Sequence, residues 1–168
     1  AQQKIPSILI DADLRRGVLH HTFACEKKPG IADILIGNSP ISFDGVAKVI
    51  QKTHIPNLFL LPNGIQIPNP SELLGGSRMI KLYEVLKENF GAIIFDTPPI
   101  DIIPDALILN NFVKGLILVI RYGKTQVNRL NSKITEFSRI RANLLGIVIN
   151  ASEELKQNDY YKYSYYNY

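Results

Sequence analysis

Short apolar runs that stop on a polar residue or a proline alternate along this chain with stretches whose apolar positions recur at three- and four-residue spacing. The short runs read as strands: Ser7 to Ile10, Asn57 to Leu61, Ala92 to Asp96, Gly115 to Ile120 and Leu144 to Ile149, the last tipped by Asn150. Between them lie helical stretches at Ile31 to Ile36, Phe43 to Ile50, Ile102 to Val113 and Gln126 to Arg141. The longest stripe, Met79, Leu82, Tyr83, Leu86 and Phe90, marks a helix that Ser77 caps and Gly91 ends. A shorter helix precedes it, with Asn69 as N-cap, Pro70 at N1 and Glu72 placed for a capping box, and it breaks at Gly75-Gly76. Ala1 to Lys4 has the character of a helix end, stopped by Pro6. Strand alternating with helix this regularly predicts an α/β fold, a doubly wound parallel sheet flanked by helices. The apolar pattern fades after residue 150, so residues 1–150 read as a folded domain and 151–168 as a flexible tail.

Two of the strands end in acids. Ile8-Leu9-Ile10-Asp11-Ala12-Asp13-Leu14-Arg15-Arg16 delivers two carboxylates and two arginines to a strand tip, and Ala92-Ile93-Ile94-Phe95-Asp96-Thr97-Pro98-Pro99 delivers a third carboxylate before prolines force a turn. One aspartate at a strand tip is ordinarily a helix cap. Three on two strands that can be neighbours point instead to a crevice at the carboxyl edge of the sheet, where a hydrated Mg²⁺ and a polyphosphate fit.

Composition narrows this only slightly. The chain has 168 residues, 46% of them apolar, enough for one domain with a real core. Its net charge of +4 comes from scattered lysines and arginines, so no stripe singles out nucleic acid, and none is expected as a partner. Cys25 is the single cysteine, which excludes an internal disulfide and fits a reducing compartment. His20 and His21 sit in a loop between Gly17 and Gly30 and read as solvated, with no third metal ligand spaced to join them. The longest apolar runs are too short to span a bilayer. The chain starts on alanine rather than methionine and reads as a piece of something longer or a processed product.

Two further features matter for function. Tyr160, Tyr161, Tyr163, Tyr165, Tyr166 and Tyr168 crowd into the last nine residues, a pattern that is neither a strand's alternation nor a helix's stripe. Such a cluster is a sticky end, a stacking surface for sugars or bases, or a set of phosphate acceptors that would become strongly negative when modified. Conversely, no GxxxxGK[ST] loop occurs, and Gly75-Gly76-Ser77-Arg78 has neither the lysine nor the preceding strand of one. Without such a loop, polyphosphate binding is severely weakened.

Taken together, Ile8 to Arg16, Ile93 to Pro99 and the tyrosine tail resemble the bacterial tyrosine kinases of capsule and exopolysaccharide biosynthesis, built on a deviant P-loop ATPase fold. The first stretch resembles the family's Walker A′ motif and the second its Walker B. Pro68-Asn69-Pro70-Ser71-Glu72-Leu73-Leu74 and Arg121-Tyr122-Gly123-Lys124-Thr125 match family segments, and Asn150 stands where the wider group has an asparagine near adenine. Gly17 replaces a usual proline. The resemblance implies a P-loop NTPase-like fold with the N-terminal strand and P-loop missing, a loss that would expose apolar edges.

The resemblance also implies a mechanism with Mg²⁺ and ATP as cofactors. Asp96 would hold the metal's water shell, Asp11 would contact the metal or activate a tyrosine hydroxyl, and Asp13 would assist. Arg15 and Arg16 would stabilise phosphate charge or pair with Asp13. The tail tyrosines would be phosphorylated in trans within a ring-like homo-oligomer at the cytoplasmic face of the membrane, alongside a membrane adaptor or an N-terminal transmembrane co-polymerase domain. Three alternatives share the acidic strands or the tail: a partitioning or division-site ATPase, a non-catalytic pseudokinase regulating polymer length, and a glycan-stacking module.

Overall fold

A computed structural model describes residues 4–100 and 105–151 of the chain. The expectations for Ala1 to Gln3, for the start of the helix placed at Ile102 and for the tyrosine cluster lie outside those residues. In chain order the elements are β1 (Ser7–Asp11), α1 (Leu19–Thr22), α2 (Ile31–Ile36), α3 (Phe43–Ala47), β2 (Gln51–Lys52), β3 (Leu58–Leu61), α4 (Pro70–Leu74) and α5 (Ser77–Asn89). They continue with β4 (Ala92–Asp96), α6 (Asp105–Leu109), β5 (Leu116–Arg121), α7 (Val127–Arg139) and β6 (Leu144–Asn150). The chain divides into two compact units, Ala1–Phe112 and Val113–Tyr168.

The first unit is a four-stranded sheet in the order β2-β3-β1-β4. β1 is central and runs parallel to both neighbours, as its apolar run predicts, and Ile8 and Ile10 are fully buried. β2 departs from the all-parallel expectation, pairing antiparallel with β3. Its two residues are polar, so no hydrophobic pattern announces it. A two-way clasp fixes its position instead: Glu26 N–H donates to Gln51 Oε1 and Gln51 Nε2 donates to Glu26 O, both at 2.8 Å.

Helix packing follows the sequence pattern closely. Met79, Leu82 and Leu86 of α5 are fully buried against a core that includes Ile8, Ile10, Leu61, Leu74 and Leu109. The break at Gly75-Gly76 separates α4 from α5. The caps differ from expectation. Asn69 occupies the N-cap of α4 with Pro70 at N1, yet its side chain makes no capping hydrogen bond, and Gly76 rather than Ser77 takes the N-cap of α5. α2 is held against the end of β3, where Ile31 N–H donates to Pro62 O (2.8 Å) and Ala32 N–H to Asn63 O (3.1 Å). Gly64 turns the chain there with φ of +86°, a conformation that suits glycine.

The second unit is a pair of parallel strands, β5 and β6, joined through α7. One register shift between Leu116 and Ile117 interrupts the pairing, which then runs evenly to Arg121 opposite Asn150. Phe137 of α7 is the buried apolar side chain of this unit among the described residues.

Candidate functional site

Parallel pairing of β1 with β4 sets Asp11 directly beside Asp96 at the carboxyl ends of the two strands. Both side chains therefore leave the same face of the sheet, one strand spacing apart. The ladder continues one residue further, with Ala12 N–H donating to Asp96 O at 2.8 Å, so the tips are locked in register. Two of the three acids expected to converge do so by backbone geometry alone.

Asp11 is fully buried, and its two carboxylate oxygens have different surroundings. Oδ2 accepts a hydrogen bond from Leu19 N–H at 3.2 Å, while Oδ1 is buried without a hydrogen-bond partner. α1 thus has a purpose that its four residues do not announce in sequence: it brings a backbone donor to the acid. Gly17 closes the other side. A Cβ at this position would fall on the Asp11 carboxylate, so the acid can lie where it does only because residue 17 has no side chain. Burial raises the Asp11 pKa from 3.8 to about 6; the Leu19 hydrogen bond opposes this, and the charge of Asp96 adds to the rise. Asp96 is exposed at the strand tip, yet partial desolvation and then the charge of Asp13 push its carboxyl above the usual value too.

Asp13 has a different job from Asp11. Its Oδ1 accepts backbone N–H groups from Arg15 (3.1 Å) and Arg16 (2.9 Å), and its carbonyl accepts from Gly17 N–H at 2.8 Å. It is the organiser of the turn after β1, and its charge is near enough to raise both other acids.

The two arginines separate. Arg15 does not pair with Asp13 through its guanidinium; Nη1 donates to Asp105 Oδ2 at 2.7 Å and Nη2 to Ser71 Oγ at 3.1 Å. Ser71 Oγ in turn donates to Asp105 Oδ1 at 2.6 Å. Sequence reasoning did not single out Ser71 or Asp105 individually. Ser71 lies within the segment Pro68 to Leu74 already marked, whereas Asp105 is 90 residues from its arginine and carried no signal of its own. Arg16 is exposed, and among the described residues it has no ion pair.

His20 departs from the solvated reading. It is buried, its Nδ1 has no hydrogen-bond partner, and its ring lies 4.0 Å from that of His21. Burial, followed by the neighbouring His21 and Lys27 charges, lowers its pKa and favours the neutral imidazole. Asn150 ends β6, exposed, and its Oδ1 accepts a hydrogen bond from Ala151 N–H at 2.7 Å. The six tail tyrosines lie outside the described residues.

The acid pair fits a hard divalent cation. An unpartnered buried carboxylate oxygen beside a second carboxylate is a place where positive charge is favoured, and oxygen donors suit Mg²⁺. Among the described residues no three His, Cys, Asp or Glu side chains form a metal-holding group, so a metal here would take most of its ligands from water and phosphate oxygens. The residues for a polyphosphate do not fit equally well. Gly75 and Gly76 lie between two helices and not after a strand, so they form no phosphate cradle.

No protein-family model matches the chain. Sequence relatives do. The chain is 33% identical over 150 residues to the tyrosine-protein kinase ptk of Acinetobacter johnsonii, an alignment covering 89% of this chain and 20% of that protein. It is 34% identical over 155 residues to the tyrosine-protein kinase CpsD of Streptococcus agalactiae serotype III, covering 92% of this chain and 65% of CpsD. Among solved structures, the kinase domain of the Escherichia coli tyrosine kinase ETK superposes with a TM-score of 0.79 at 30% identity, covering 89% of this chain and 56% of that domain. The chain therefore spans from a fifth to about two thirds of the relatives it matches.

Proposed function

We propose that this chain is part of an ATP-dependent protein-tyrosine autokinase of the bacterial tyrosine kinase family, acting in exopolysaccharide or capsule synthesis, a reading supported by its likeness to those kinases. The observation that carries the proposal is the Asp11–Asp96 pair at adjoining strand tips, with a buried, unpartnered oxygen on Asp11.

In this reading Asp11 and Asp96 would hold Mg²⁺, which when bound would neutralise phosphate charge. Asp96, exposed at its strand tip, would hold the metal's water shell. Asp11 would either contact the metal or, where it does not, take up the proton of an acceptor tyrosine hydroxyl. Asp13 keeps the turn in shape and adds negative potential. Arg16 is the guanidinium free to meet phosphate charge, and Asn150 is the candidate for the adenine vicinity. Positioning and electrostatics do most of the work in such a site. The acceptors are Tyr160, Tyr161, Tyr163, Tyr165, Tyr166 and Tyr168 of a neighbouring copy, within a ring-like homo-oligomer at the inner face of the cell membrane. A membrane adaptor, or a transmembrane co-polymerase domain, completes the assembly; among the described residues no helix is long and apolar enough to cross a membrane. Residues 1–150 serve as the catalytic part and 151–168 as the substrate tail.

The decisive experiment is Mg²⁺-ATP titration of the protein encoded together with the sequence upstream of Ala1, followed by phosphotyrosine labelling. Binding near the micromolar scale, with labelling of the tail abolished by Asp11→Ala, is expected. Absence of binding removes the kinase reading, and unchanged labelling of Asp11→Ala removes Asp11 from the mechanism.

A further inference from the structure

Arg15, Ser71 and Asp105 form a closed ring of hydrogen bonds whose members come from three places in the first unit. Arg15 lies in the turn after β1, Ser71 in the first turn of α4 and Asp105 at the start of α6. Asp105 is fully buried and both of its oxygens are used, one by the guanidinium and one by the serine hydroxyl. The serine oxygen also accepts from the second guanidinium nitrogen, so both terminal nitrogens of Arg15 are tied to the protein. A lysine could not reproduce this arrangement.

What the ring fastens is informative. α6 follows the strand that ends in Asp96, and Arg15 sits two residues after Asp13. The backbone N–H of Arg15 donates to Asp13 Oδ1, while its side chain is anchored to Asp105. One residue thereby links the carboxylate of the first turn to the helix that follows the other acid-tipped strand. We propose that Ser71 and Asp105 are positioning residues, which hold Arg15 and through it the Asp13 turn in place beside the Asp11–Asp96 pair. Arg15 then acts as a strut between the turn and the two helices. Only the purpose of the turn so held rests on the kinase reading; the strut itself does not.

The test is amide hydrogen exchange, followed by NMR in the 168-residue chain without nucleotide. Ser71→Ala removes two of the three bonds without leaving a new buried charge, and Asp105→Asn keeps the shape while removing the charge. Each should speed exchange of the Arg15, Arg16 and Gly17 amides about ten-fold, while those of Ile8, Leu9 and Ile10 stay within about two-fold. Ser71→Thr, which keeps the hydroxyl, should restore the slow rates. Unchanged exchange in the turn overturns the proposal. So does equal acceleration of turn and strand, which would show a general loss of stability rather than positioning. Failure of the Mg²⁺-ATP titration would remove the kinase reading alone, because exchange is read without nucleotide.

Discussion

The two units of this chain are built from equally apolar strands but treat them differently. In the first, Ile8 and Ile10 of β1 are wholly buried, and α5 lays three fully buried side chains onto the same core. In the second, Ile117 and Val119 of β5 are each 61% exposed, and Leu145 of β6 is 64% exposed. Strands of a parallel α/β sheet are ordinarily covered on both faces. An apolar run in sequence thus says that a position is to be covered, without saying by what. In the first unit the central strand is covered, although Ile94 of β4 is 53% exposed; in the second, both described strands keep large apolar side chains exposed.

The contrast can be broken most directly by truncating one side chain in each unit. Leu82→Ala removes a fully buried side chain from the α5 stripe and should cost about 2–5 kcal/mol in denaturant unfolding. Ile117→Ala, made at an exposed position, should cost under about 1 kcal/mol. Equal losses would mean that β5 is covered in solution, and the difference between the units would vanish.

Much of this was readable beforehand. Strand tips bearing Asp11 and Asp96 repeat one pattern of apolar residues ending in an acid, and two such strands side by side in parallel register need no further information to bring their carboxylates together. The stripe from Met79 to Phe90 and the break at Gly75-Gly76 were equally plain, because helical spacing and glycine act locally. What escaped is non-local. The antiparallel edge of Gln51-Lys52 depends on hydrogen bonds to Glu26, and the Arg15–Asp105 pair joins residues 90 positions apart. The burial of His20 depends on how the short helix α1 packs, which a pair of histidines cannot reveal. Likewise Asn69 and Ser77 carry good capping chemistry, yet α4 is left without a side-chain cap and α5 starts one residue earlier than a serine cap requires.

A second prediction separates the tip of the first unit from its core. Leu82 is buried to stabilise the fold, whereas Asp11 is buried with an unpartnered oxygen, an arrangement that costs stability. Its carboxyl holds a proton up to about pH 6 in the folded chain and only to about 3.8 in an ordinary environment, so the folded state binds more protons between these values. Stability should therefore fall as pH rises from about 4 to about 6 and level off above, with this group contributing up to about 3 kcal/mol. Asp11→Asn should accordingly raise stability at pH 7 by about 1–3 kcal/mol and bring little gain at pH 4. A variant that is less stable than the parent at pH 7 would show that the acid is held by favourable contacts after all, and that tip and core follow the same rule.

The smallest expected effect is the most pointed test of the second unit. Ile117 and Val119 lie on one face of β5, and their register partners on β6 are Gly146 and Val148. Val148 is exposed as well, so three apolar side chains share one open face. A lysine at position 117 should then fit without strain, its stem resting on the sheet and its charge in water, and change unfolding stability by no more than about 0.5 kcal/mol. The same substitution should lower the binding of a hydrophobic dye such as ANS, because it interrupts the patch. A large destabilisation would mean that this face is packed in solution, and unchanged dye binding would place the exposed apolar surface elsewhere. The paired result, neutral for folding and negative for dye, is what a face kept for another protein surface requires.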